Sequence, residues 1–159
     1  MKTNRKPTEE QKAAAAAKRA ELCRRTAPFK SIVEMNREAR FAEMDGASPE
    51  TVEKILAGVP AKFRGCYTLN ACLEVIYREQ TGQTEFHTFR DWKAKGYSVK
   101  RGEHGFMLWS TPKTFTFETG TVDAKGEPEK ETVERYALAY VFHAGQVHQD
   151  ELAPVQAVG

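Results

Sequence analysis

Apolar positions along the chain recur first at helical spacing and then, after Gly96, at strand spacing. Thr8 to about Arg25 reads as a helix. Thr8 is placed to cap it, Glu9 and Glu10 suit its positive end, and Arg24 and Arg25 suit its negative end. Its five alanines, Ala13 to Ala17, favour helix but offer little to bury. Pro28 opens a second helix carrying Phe29, Ile32 and Val33, which Gly46 breaks. Ser48-Pro49 is a cap followed by proline at the first helical position, and Val52, Ile55, Leu56 and Val59 give the third helix one apolar face. A fourth helix spans about Thr68 to Gln80, with Leu69, Cys72, Leu73 and Ile76 as its stripe and Gly82 as its stop. Thr88 to Lys95, with Asp91 three residues after Thr88, is a fifth. Strands are then expected at Tyr97–Val99, Phe106–Ser110, Thr114–Glu118 and Thr132–Phe142, the last two joined through Asp123-Ala124-Lys125-Gly126. The expected class is α+β: N-terminal helices followed by a small antiparallel sheet of about four strands. A basic helical region at 1–62, a main domain at 63–149 and a loose tail at 150–159 are the expected units.

Composition supports a globular chain. It has 159 residues, 40% of them hydrophobic and 29% charged, and no apolar run of membrane-spanning length. A soluble, cytoplasmic protein is expected. Cys23, Cys66 and Cys72 contain no Cys-x-x-Cys, which speaks against a disulfide framework and a structural zinc site.

Charge changes the picture more. The net value is only +2, yet residues 1–40 hold eleven Lys/Arg against five Asp/Glu, and residues 62–113 hold nine against five. Residues 41–61 and 114–159 are acidic. Positive charge concentrated in the first third and the middle suits a polyanionic partner, and also an ordinary solvated surface.

The chemistry-bearing residues are densest between Phe63 and Gly105. Phe63-Arg64-Gly65-Cys66-Tyr67-Thr68-Leu69-Asn70, Thr88-Phe89-Arg90-Asp91-Trp92-Lys93 and Val99-Lys100-Arg101-Gly102-Glu103-His104-Gly105 mix aromatic rings, cations and a glycine-bounded turn. Single-stranded nucleic acid is bound by that mixture, cations following phosphates and rings stacking bases at roughly 1–3 kcal/mol each.

These segments, in this order, resemble the N-terminal single-stranded-DNA-binding domain of ArdC-type antirestriction proteins. The family reads Tyr-Ser-x-x-Asn, an apolar helix, Thr/Gly-Phe-x-x-Trp-x-x-x-Gly, then Val-Lys-Lys-Gly-Glu-Lys-Gly before a strand. The matching residues are Tyr67 to Asn70, His87 to Trp92 with Gly96, and Val99 to Gly105. Tyr140-Val141-Phe142-His143-Ala144-Gly145-Gln146-Val147 is similar to the family's later Val-Phe-Asp-Val-Ser-Gln-Thr, with His143 where the family has Asp. The resemblance covers about Phe63 to Gln146 and implies a plasmid or phage protein that protects incoming DNA. The His-Glu-x-x-His of the family's metalloprotease-like domain does not occur in this sequence.

The candidate nucleic-acid-binding residues are Arg64, Tyr67, Asn70, Lys93, Lys100, Arg101 and His104. No catalytic residue, metal ligand or cofactor is assigned. Structural roles compete at several positions. Phe89 and Trp92, three apart, suit a common core face, and Trp109 suits the core as well. Asn70 can bond local backbone, Lys93 and Lys95 can form a solvated face, and Glu103 can close its turn. His143 and His148 lack a third ligand. Glu127, Glu129 and Glu131 belong on an exposed hairpin rather than in acid–base work. If the two ends, Arg64–Asn70 and Lys100–His104, meet on one surface, that surface is the expected site. Single-stranded DNA is the leading partner. A host defence protein bound by direct contact, with residues 1–60 taking part, is the alternative, and a nuclease or metal-dependent hydrolase is the third reading.

Overall fold

The computed structural model describes residues 6–151. Five helices come largely first: α1 Glu9–Thr26, α2 Phe29–Met44, α3 Pro49–Leu56, α4 Leu69–Thr81 and α5 Phe89–Ala94. Seven strands complete it: β1 Phe86–Thr88, β2 Tyr97–Val99, β3 Phe106–Trp109, β4 Lys113–Val122, β5 Pro128–Arg135, β6 Leu138–His143 and β7 Val147–Gln149. The class is α+β and every strand pair is antiparallel. The pairing is spread over three small sheets, ordered β1-β6-β3, β2-β7 and β4-β5.

Local chemistry sets the helix ends. Thr8 accepts from the Gln11 N–H while Gln11 bonds back to the Thr8 N–H, a full capping box. Ser48, Thr68 and Thr88 cap α3, α4 and α5 through their hydroxyls. Gly82 takes a left-handed φ of 68° after α4, a conformation that stops the helix without a Cβ penalty.

Two hydrophobic clusters share α4. Leu73 and Tyr77 pack with Leu22, Leu108 and Val141 on one side, and Cys72 packs with Val33, Val59, Phe63 and Cys66 on the other. Leu22 is fully buried, so α1 belongs to the same core as the strands. The buried Asn36 ties α2 to the segment before α4. Its amide donates to the carbonyls of Phe63 (2.9 Å) and Cys66 (3.0 Å), and its oxygen accepts from the Gly65 N–H. Gly65 needs its φ of 85° to make that turn.

Three expectations change. The single run Thr132–Phe142 is two strands in two sheets, because the chain switches partner between Arg135 and Leu138. There Ser110 pairs with Ala137 through the Ser110 N–H (2.9 Å) and hydroxyl (3.2 Å). Strands β1 and β7, three residues each, are too short to show a period. At the C-terminal side Asp150 is anchored: its N–H donates to the Gly96 carbonyl at 2.8 Å and its carboxylate accepts from Ser98. Residues 152–159 of the expected tail, and the first five residues, lie outside the described residues. Among the described residues no helix is long and apolar enough to cross a membrane.

Removing the Leu22 side chain empties a closed site against α4 and β3. Leu22→Ala is expected to lower unfolding free energy by about 2–5 kcal/mol. It should do so in one cooperative chemical-denaturation transition, since α1 and the strands share that cluster. Two separated transitions would show instead that α1 folds apart from the rest.

Candidate nucleic-acid interface

The candidate residues do not converge on one surface. Asn70 uses its whole amide on Trp109, accepting from its N–H at 2.8 Å and donating to its carbonyl at 2.7 Å. His104 lies before the opposite end of β3. Trp109 ends β3, and His104 precedes the strand's first residue, Phe106, by two positions.

Several of the others are engaged within the fold. Arg64 makes a two-pronged contact with Glu53 (2.9 and 3.2 Å) and also reaches the Leu56 carbonyl. The Tyr67 ring lies under the Arg40 guanidinium at 4.8 Å, and its carbonyl accepts from Arg37 Nε at 2.9 Å. Lys93 donates to Ser98 at 2.7 Å and sits 3.5 Å from Asp150. Those contacts, the Ser98 hydroxyl first, hold the Asp150 carboxyl below its usual range. The clip they make is therefore present at neutral pH and disappears as pH falls through that lowered value. Lys100 Nζ donates to the Gly145 carbonyl at 3.2 Å. Arg101 is exposed and makes no hydrogen bond or ion pair among the described residues.

The turn itself is held from behind. Gln146, buried, donates to the Glu103 carboxylate (3.2 Å) and the His104 carbonyl (2.8 Å). Glu103 thus closes the turn as expected, its own N–H bonding the Lys100 carbonyl. His143 caps the 3-10 turn that follows, its Nδ1 accepting from the Gly145 N–H at 3.0 Å. An acceptor is what this backbone position requires, and imidazole supplies it. Trp92 is buried, with its indole N–H on the Phe142 carbonyl at 2.8 Å, so its core reading holds. Phe89, in the first turn of α5, is 52% exposed and is not core.

A larger feature runs along α1. On one flank a cleft of about 780 Å³ is walled by Arg19, Cys23 and Thr26 of α1 and Lys30, Glu34 and Arg37 of α2. Thr68 and Asn70 at the start of α4, and Trp109, Ser110 and Tyr136, form its far side. That volume lies within the range of about 300–1,000 Å³ typical of ligand clefts. Three cations and one carboxylate line it. Among the described residues neither Arg19 nor Lys30 has an ion-pair partner, and Arg37 spends only Nε on the Tyr67 carbonyl. Trp109 and Tyr136 stand edge to face, centroids 6.4 Å apart, and the buried Trp109 indole N–H has no hydrogen-bond partner. On the opposite flank a smaller cleft of about 340 Å³ holds Lys18, Glu21, Arg25, Tyr77, His104 and Tyr140. The two ends of Tyr67–Gly105 therefore border different clefts, separated by α1.

Of the residues chosen from sequence, only Asn70 lines the larger cleft. Sequence reasoning missed Arg19, Lys30, Arg37, Trp109 and Tyr136. The positive excess of residues 1–40 was the available signal for the three cations. Nothing local marks Tyr136. Among the described residues no three His, Cys, Asp or Glu side chains group as metal ligands would.

No family model and no curated protein matches the chain. Among solved structures, the metal-free crystal structure of a plasmid antirestriction protein, ArdC, is similar. Identity is 24% over 52% of this chain and 29% of that one, with a TM-score of 0.34. The chain thus spans less than a third of that protein's length.

Thiol reactivity reports on the larger cleft. Cys23 is exposed on its wall, whereas Cys66 and Cys72 are buried. Burial, with Cys66 beside it, pushes the Cys72 thiol up to about 12. One thiol, Cys23, is expected to react with a maleimide or disulfide reagent at neutral pH in the folded protein, and all three after unfolding. Mass mapping of the labelled peptide checks it.

Proposed function

We propose that this chain binds single-stranded DNA without altering it chemically, through the larger cleft beside α1. The observation that carries this reading is the cleft's lining: Arg19, Lys30 and Arg37 along one wall, Trp109 and Tyr136 on the other. Cations spaced along α1 and α2 suit a phosphate backbone, and the half-exposed Tyr136 ring offers a stacking face for an unpaired base. A duplex, with its bases paired inward, would leave those rings unused. Glu34 is the one carboxylate in the lining and no histidine joins it. That composition supports binding rather than acid–base chemistry. The sequence resemblance of Phe63–Gln146 to the DNA-binding module of ArdC-type antirestriction proteins supports single-strand binding, though not the three cations of α1 and α2, and suggests a biological setting in the protection of mobile-element DNA.

The test is fluorescence anisotropy with labelled single strands, duplex and RNA at low and moderate salt. Single-stranded DNA is expected to bind in a sequence-tolerant way, and more weakly as salt rises. Arg19→Ala with Lys30→Ala should flatten the log–log salt slope by about 1.4, at ~0.7 for each phosphate no longer neutralised. Bound strand should also protect Cys23 from the maleimide. Lys100→Ala with Arg101→Ala should change affinity less than the cleft pair. A larger effect from Lys100 and Arg101 would move the site to the turn, and no binding at low salt would remove the proposal. Labelled strands incubated with Mg²⁺, Mn²⁺ or Zn²⁺ should remain intact.

A further inference from the structure

The β4–β5 hairpin projects with almost every residue exposed, and its two strands pack chiefly on each other. Its tip is well made. Asp123 Oδ1 accepts from the N–H groups of Lys125 (2.8 Å) and Glu127 (3.0 Å), and Gly126 takes φ 80°. Two strands alone are marginal in water, so a hairpin this long with an uncovered apolar face calls for a partner.

Register defines that face. Phe115 pairs with Val133, Phe117 with Glu131, and Lys113 with Arg135, while Thr114, Thr116 and Glu118 face the other way. Between Glu118 and Val122 the ladder is irregular, with Gly120 at φ 83°, and there Thr119 and Thr121 close against β5. Their hydroxyls bond each other at 2.8 Å, and Thr121 bonds the Glu129 carboxylate at 2.6 Å. From base to tip the face therefore runs from a cationic rung (Lys113, Arg135) through an apolar one (Phe115, Val133) to Phe117 paired with Glu131, and Glu129 follows on β5. Phe115 and Phe117 are 49% and 45% exposed, with Arg135 over the Phe115 ring at 5.9 Å.

Such a face is complementary to itself when turned end for end. We infer that two copies of this chain associate through their hairpins, face to face and antiparallel about a two-fold axis. Lys113 and Arg135 of each copy then meet Glu129 of the other, with Glu131 one rung nearer the axis, and the phenylalanines of both fill the middle. The same patch serves on both sides, as an isologous interface requires. A different partner would need a matching charge order, whereas a second copy has it by construction. The face is about 26 Å long and 10 Å wide, from eight residues at ~3.3 Å and two strands at ~4.8 Å. Its footprint, about 520 Å² over both copies, is below the roughly 1,200 Å² of standard specific interfaces, so the dimer is weak and transient. This inference is independent of the cleft and its ligand.

Sedimentation velocity on the full chain, without nucleic acid, tests it. The wild type is expected to shift from monomer to dimer between micromolar and several hundred micromolar. Phe115→Thr with Phe117→Thr should raise the dissociation constant at least tenfold while leaving the circular dichroism spectrum and the unfolding midpoint of the body unchanged. Glu129→Lys with Glu131→Lys makes the face wholly basic, and Lys113→Glu with Arg135→Glu makes it wholly acidic. Each should be monomeric alone, and an equimolar mixture should form a heterodimer. A wild type that stays monomeric throughout overturns the inference. So does a dimer that the hairpin changes leave intact, or a charge-swapped pair that fails to associate when mixed.

Discussion

The outer edge of β3 has no strand beside it, and a helix supplies what a strand would have. Asn70 presents an amide to both main-chain groups of Trp109, and Tyr77, two turns along α4, donates its hydroxyl to the Met107 carbonyl at 2.6 Å. Unpaired edge groups are costly when covered and hazardous when exposed. Satisfying them from α4 fixes the helix against the sheet at two points. Everything else is hung on that joint. One side of α4 packs the cluster containing Leu22 and so seats α1. Its other side packs Val33, Val59 and Phe63 and so seats α2 and α3.

Buried amides repeat the device. Asn36 holds the loop leading into α4, and Gln146 holds the turn leading into β3. Each contact spans about thirty or forty residues of sequence and satisfies main-chain groups that no ladder reaches. The segment richest in aromatics and cations is thus largely scaffold. Trp92, Asn70, Tyr67 and Arg64 are engaged with their own fold, while the cations of the larger cleft stand on the helices that precede them. The division follows from geometry. A helix lying across a helix–sheet layer leaves a channel on each flank, and its outward-tilted residues line both. Lys18 and Arg25 face one channel, Arg19 and Cys23 the other.

The hairpin obeys a different rule from the body. Its strands continue directly from β3 and into β6, yet it shares no core with them. The switch at Ser110 and Ala137 hands the chain from one sheet to another without a turn signal. Strand periodicity reports only that side chains alternate, not which neighbour they alternate against. The run Thr132–Phe142 therefore reads as one strand although it serves two sheets.

By itself the sequence determined the α+β class, the five helices with caps at Thr8, Ser48 and Thr88, and the Asp123–Gly126 turn. Those features rest on interactions within a few residues, which spacing and residue type record directly. The closing role of Glu103 was also legible, because its turn is local. Only the tertiary structure decided that Asn70 serves Trp109, that β3 and β6 pair while β5 leaves with β4, and that Arg19, Lys30, Trp109 and Tyr136 share a cleft. These depend on groups thirty to more than a hundred residues apart, and no local pattern encodes which distant main-chain group a side-chain amide will meet. The basic excess of the first forty residues announced that charge would gather. Where it gathered was set by α1 lying over the joint between α4 and β3.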